Sequence, residues 1–167
     1  MGGDFAPETT IKGSILALEE FSNQIQIVLF GDEKEIVAEL KKNHYPKDSF
    51  EIINCSEVID MGEHATRAFK TKPHSSIAQG FKHLATGNID GFCSAGNTGA
   101  MFVGGYYSVK AISGILRPCI STIIPKENGQ FAVLLDVGAN ADCKPDVLYQ
   151  FGILGSLFAK YVCKIKA

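Results

Sequence analysis

Three short stretches gather the residue types that hold anions. They are Met1-Gly2-Gly3-Asp4, Ser94-Ala95-Gly96-Asn97-Thr98-Gly99-Ala100, and Leu135-Asp136-Val137-Gly138-Ala139-Asn140-Ala141-Asp142. Glycine lets a backbone approach a ligand closely, and the unpaired N–H groups of a starting helix are donors aimed at negative charge. In the second stretch, Ser94, Asn97 and Thr98 could hold phosphate oxygens or an oxyanion, although Asn97 and Thr98 serve equally as helix caps. The stretch lacks the glycine and lysine spacing of a nucleotide phosphate loop. In the third, Asp136, Asn140 and Asp142 surround Gly138. Turn formation and capping by Asp142 ahead of Pro145 account for them as simply as a hard-cation site with Asp146 would, so no metal is expected.

One cationic cluster accompanies the loops, from Arg67 through Lys70 and Lys72 to His74, Ser75 and Ser76. A solvated surface is the ordinary meaning of such a run, but Lys and Arg beside a helix start also suit phosphate. Cys93 stands beside the second loop, yet no histidine is placed to activate it, and a cysteine in an apolar run is usually a small buried side chain. His44, His64, His74 and His83 show no metal-ligand spacing.

The elements that must position these residues alternate. Pro7 to about Phe21 reads as an amphipathic helix, Ile25 to Phe30 as a buried strand, and Asp32 with Glu35 as a capping box opening a helix that ends before Pro46. Phe50 to Ile53 reads as a strand, and a helix starts near Ser75 or Ser76 and stops at Gly87-Asn88. Ile89 to Cys93 reads as a further strand, followed by a helix that begins inside the second loop and is weakened by Gly104-Gly105. Cys119 to Ile124 and Phe131 to Asp136 flank Asn128-Gly129, a hairpin signal. A last helix runs from about Pro145 and carries Leu154, Phe158, Tyr161 and Ile165. Such alternation predicts an α/β fold with a mainly parallel sheet, an antiparallel hairpin, and ligands beyond the C-terminal strand ends.

The 167 residues suit a single domain, with 46% hydrophobic and 20% charged residues. A net charge of −2 offers no broad basic field for nucleic acid, so anion binding has to be local. Five cysteines, none in a C-x-x-C pair, point away from a disulfide framework or a zinc site and towards a reducing, cytoplasmic setting. The apolar runs fall short of the roughly 20 residues that span a bilayer.

At Met1–Glu8, Val28-Leu-Phe-Gly-Asp32, Arg67–Ser76, Ser94–Ala100, Leu134–Cys143 and Gln150-Phe-Gly, in that order, the chain resembles the bacterial PlsX family of phosphate acyltransferases. The resemblance implies transfer of a fatty acyl group from acyl-carrier protein to inorganic phosphate, giving acyl phosphate for phospholipid synthesis. It implies a three-layer α/β/α sandwich akin to isopropylmalate dehydrogenase and phosphotransacetylase. It also implies a homodimer at full length, with peripheral association at the inner membrane face through the other half of the protein. The family normally has a short strand leading into the Met-Gly-Gly-Asp motif and continues for about as many residues again, so the chain reads as a single α/β domain or the N-terminal portion of a larger enzyme.

Phosphate dianion is itself a nucleophile, so neither a cofactor nor a cysteine is required. On this reading Asn97 and Thr98, with the N–H groups near Gly96 and Gly99, hold phosphate or the oxyanion, while Lys70 and Lys72 neutralise charge. Gly2, Gly3, Asp4, Ser75, Ser76, Ser94, Asp136, Gly138, Asn140 and Asp142 bind substrate or orient the loops. Two other readings stay open: a non-catalytic fragment, and a phosphate acetyl- or butyryltransferase or decarboxylating dehydrogenase of the same fold.

Overall fold

A computed structural model describes residues 2–165. They divide into two compact units, one up to Val109 and one from Lys110.

The first unit opens with α1 (Glu8–Phe21), then β1 (Val28–Gly31), α2 (Glu33–Lys42) and β2 (Glu51–Asn54). β1 and β2 pair in parallel with Val28 opposite Glu51 and Gly31 opposite Asn54, so α2 is the crossover helix of a βαβ turn. Asp32 caps α2 as its spacing predicts, accepting from the N–H groups of Lys34 and Glu35 at 2.8 and 3.0 Å. One apolar core, of Ile11, Ile15, Leu29, Ile36, Leu40 and Phe50, joins these elements. β1 starts later than the apolar run, because Ser22–Gln24 form a 3-10 turn and Ile25 is 41% exposed.

A second core lies among α3 (Ala65–Thr71), α4 (Ser76–Ala85) and α5 (Thr98–Ser108), built on Ile59, Ala68, Ile77, Phe81 and Ala100. The α3 helix falls inside the cationic cluster and has no counterpart in the sequence reading, because seven residues are too few to show periodicity. Gly104, a helix-weakening residue by propensity, gives Phe81 room to lie against the α5 backbone.

The stretch from Ile89 to Cys93 is not a strand. An apolar run reports burial, whereas a strand needs a ladder partner. Phe92 packs its ring against Phe81 and Phe30, with centroids 5.2 and 5.9 Å apart, but the backbone of the run joins no sheet among the described residues.

The second unit pairs β3 (Ser121–Pro125) with β4 (Phe131–Leu135) antiparallel, Ser121 opposite Leu135 and Pro125 opposite Phe131. The turn falls where Asn128-Gly129 predicts it, with Gly129 at φ +76°. α6 (Pro145–Tyr161) follows and ends before Ile165. It packs on β4 with Val147 and Phe151 buried, whereas Tyr161 is exposed. Among the described residues no helix is long and apolar enough to cross a membrane. The fold is thus α/β, with one parallel and one antiparallel strand pair among the described residues.

Candidate functional site

The first unit brings two of the three glycine loops into backbone contact. A Cβ on Gly2 would stand 2.8 Å from the Gly96 Cα, and Gly3 sits at φ +111° with its own Cβ position 3.2 Å from the Ala95 methyl. Only glycine allows that approach and that torsion. Met1, the first residue of the motif, lies outside the described residues. The N–H of Gly96 donates to the Ser94 hydroxyl at 3.1 Å, which folds the second loop on itself just before α5.

Asn97 is the N-cap of α5, and its side-chain carbonyl accepts from the Ala100 N–H at 2.9 Å. Its amide nitrogen donates to the backbone carbonyls of Asp60, Met61 and Glu63 at 3.0, 3.2 and 3.1 Å. The residue is buried, so its carboxamide is engaged on both sides and cannot also grip a phosphate, as its residue type had suggested. Asn97 ties the start of α5 to the 60–63 loop. Thr98 is exposed at the first position of the helix. Its N–H and that of Gly99 meet no acceptor among the described residues, leaving the donors of a helix start pointing outward. Gly99 also fits tightly, since a Cβ there would lie 2.8 Å from the Ala65 methyl.

Within the cationic cluster, Lys72 and Ser75 are held by protein groups. The Lys72 amine donates to the Val58 carbonyl at 2.6 Å and to both Glu63 carboxylate oxygens at 2.7 and 2.8 Å. Ser75, fully buried, caps α4 by accepting from the Ala78 N–H and donates to the Lys72 carbonyl. Lys72 and Ser75 therefore support the loop that Asn97 grips instead of facing ligand. Lys70 is exposed, its amine 5.6 Å from the centre of the Tyr107 ring. A cavity of about 810 Å³ opens beside the two loops, lined by Gly2, Gly3, Asp4, Ser76, Cys93 and Ser94, by the small residues of α1, and on an apolar side by Ile27, Val28, Leu29, Phe30, Ile89 and Phe92.

The Lys72 hydrogen bond is the main reason the Glu63 carboxyl lies below its ordinary value of 4.5. A lowered folded-state value means that this pair stabilises the protein fully above the unfolded value, and that the contribution disappears as pH falls through the folded one. The melting difference between the wild-type chain and Glu63→Gln is therefore expected to hold steady near neutrality and to close on acidification below pH 4.5. A difference that does not change with pH would count against the pair.

In the second unit, the third loop folds around Asp136. One of its carboxylate oxygens accepts from the Ile120 N–H at 2.7 Å, and the other from Ala139 and Asn140 at 2.9 and 2.6 Å. Burial opposes ionisation of Asp136, but these donors outweigh it and hold the carboxyl below its usual value. Asn140 donates to the Pro118 carbonyl at 3.0 Å, and the Arg117 guanidinium to the Asp142 carbonyl at 2.9 Å. Gly138 supplies the turn at φ +81°. Asp142 does not cap α6. Lys144 occupies the N-cap position without a side-chain bond, and Asp146 lies in the first turn. Among the described residues no group of His, Cys, Asp and Glu could hold a metal ion. Burial raises the thiols of Cys55 and Cys119, with Asp136 adding to the effect at Cys119.

Glu63, the 60–63 carbonyls and Arg117 are the parts that sequence reasoning missed. Their partners lie 9 to 37 positions away, and no local pattern marks them.

A family model described as fatty acid synthesis protein matches residues 1–167. The phosphate acyltransferase of Dictyoglomus thermophilum is 43% identical over 166 residues, covering 99% of this chain and 49% of that protein. Those of Halothermothrix orenii and Endomicrobium trichonymphae are 40% and 42% identical, with the same shares covered. The chain thus spans about half the length of the curated relatives it matches. A match along its whole length, through both interlocked glycine loops and the Asp136 loop, shows that the chain belongs to the fatty acid synthesis protein family, of the PlsX type.

Proposed function

We propose that the full-length protein transfers a fatty acyl group from acyl-carrier protein to inorganic phosphate. A phosphate oxygen attacks the thioester carbonyl, the C–O bond forms as the C–S bond breaks, and the carrier thiol leaves. The interlock of Gly2-Gly3 with Ser94–Gly96 beside the open N–H groups of Thr98 and Gly99 carries this reading, because it presents backbone donors at a helix start to an anion. Thr98 adds its hydroxyl, and Gly2, Gly3, Asp4, Ser76 and Ser94 form the wall. Lys70 supplies the exposed positive charge. Asn97, Lys72 and Ser75 are positioning residues. In the second unit Asp136 and Asn140 shape their own loop, and Gly138 and Asp142 are proposed as substrate-binding positions of that loop by itself.

The proposed setting is the cytoplasm, with the full-length enzyme a homodimer that associates peripherally with the inner membrane face. The 167-residue chain by itself, half the length of its relatives, is expected to yield no acyl phosphate.

In the full-length enzyme, Thr98→Val removes one hydroxyl donor and retains the branched shape. Its KM for phosphate is expected to rise about tenfold, as the loss of one charge-assisted hydrogen bond predicts, with little change in KM for acyl-carrier protein. An unchanged phosphate KM would remove Thr98 from the site. Turnover of acetyl- or butyryl-coenzyme A with none of acyl-carrier-protein thioesters would replace the reading with that of a coenzyme A-dependent phosphate acyltransferase.

A further inference from the structure

We infer that the outer ridge of α6 is the seat of the polypeptide that completes the full-length protein. Tyr149, Ile153, Leu157 and Tyr161 stand four residues apart, so they form one continuous ridge along the helix. They are 73%, 44%, 48% and 60% exposed. The opposite side of α6 is already used: Val147 and Phe151 are buried, and a Cβ on Gly155 would touch the Leu135 side chain at 3.0 Å. Beside the ridge, Gly152 has open space around it, which lets another backbone come close. The only charged residues of the helix are Asp146 in its first turn and Lys160 in its last.

A helix that is apolar on both sides belongs inside a larger core. The same chain shows how it treats a solvent face: α2 buries Ile36 and Leu40 and turns Glu33, Lys34, Glu35, Lys41 and Lys42 outward. The α6 ridge breaks that pattern over about 18 Å, the length of one packed element. The occupant follows from length, since the curated relatives contain about as many residues again as this chain covers. A row of this kind fits an apolar face presented by those further residues. The inference rests on the exposed ridge of α6 and the length of the relatives, independently of the reaction proposed above.

Hydroxyl-radical footprinting of Tyr149 and Tyr161 tests it, comparing the 167-residue chain with the full-length protein across a range of protein concentrations. Both tyrosines are expected to be oxidised at least about fivefold more slowly in the full-length protein, independently of concentration, as burial within one polypeptide requires. Equal rates in the two proteins would overturn the inference. Protection that appears only as concentration rises would also overturn it, in favour of a second copy. Leu157→Glu provides a second arm. It should lower the melting temperature of the full-length protein and leave that of the 167-residue chain unchanged, and an equal effect in both would overturn the inference.

Discussion

Asn97→Asp is expected to melt the first unit roughly 10 °C below the wild-type chain, the shift that about 3 kcal/mol produces in a domain of this size. The change is nearly isosteric, and an aspartate caps a helix as well as an asparagine does. The Ala100 N–H would therefore keep its acceptor. The other side of the group decides the outcome. In place of an amide donating to three carbonyls at 3.0 to 3.2 Å, a carboxylate oxygen would face the same three carbonyls in a buried site. Removing one partner of a buried bonded group costs about 1–3 kcal/mol, and leaving a charge there raises that to about 3–5. Protonation would relieve part of the loss, so the variant should recover some stability on acidification. Asn97→Ser, a capping residue too short to reach the 60–63 carbonyls, should fall between the two. A melting temperature for Asn97→Asp within about 1 °C of wild type would show that the network contributes nothing, since surface substitutions lie in that range.

The second large effect sets two neighbouring glycines against each other. At Gly104 a methyl would collide with the Phe81 ring and approach the Phe69 ring at 2.9 Å. Phe81 cannot retreat, because Phe69 and Phe92 pack edge-on against it at 6.4 and 5.2 Å. Overpacking costs about 1–3 kcal/mol, against a gain of about 1 from replacing glycine with alanine in a helix, so Gly104→Ala should destabilise. At Gly105 the same methyl would meet Phe81 at an ordinary 3.7 Å, leaving only the gain. Gly105→Ala should therefore stabilise by up to about 1 kcal/mol. Denaturant melts of both variants, with Phe81→Leu added to Gly104→Ala, check the assignment: the smaller side chain should offset part of the Gly104→Ala loss. Identical effects at the two glycines would refute the packing account.

The contrast between those glycines illustrates which information is local. Helix propensity assigns Gly104 and Gly105 the same penalty, and only the ring lying across one of them separates their roles. The cap at Asp32, the Asn128-Gly129 turn and the start of α4 at Ser75 were legible for the opposite reason, since each is decided by a side chain and a backbone within three residues of one another. The run from Ile89 to Cys93 misled because its apolar character reports the contact of Phe92 with Phe81, not a neighbouring strand.

By itself, the sequence determined the family, the three glycine loops and the local start and stop of most helices, because small residues, caps and turns act over a few positions of chain. Tertiary structure alone decided what the polar residues do. Asn97 and Lys72 carry the chemistry of phosphate ligands, yet folding delivers the Asn97 amide to carbonyls 34 to 37 residues away and the Lys72 amine to Glu63, leaving Thr98 and the bare N–H groups of α5 to face outward. A buried donor takes the acceptor that the fold places beside it, and no local spacing records which one that will be.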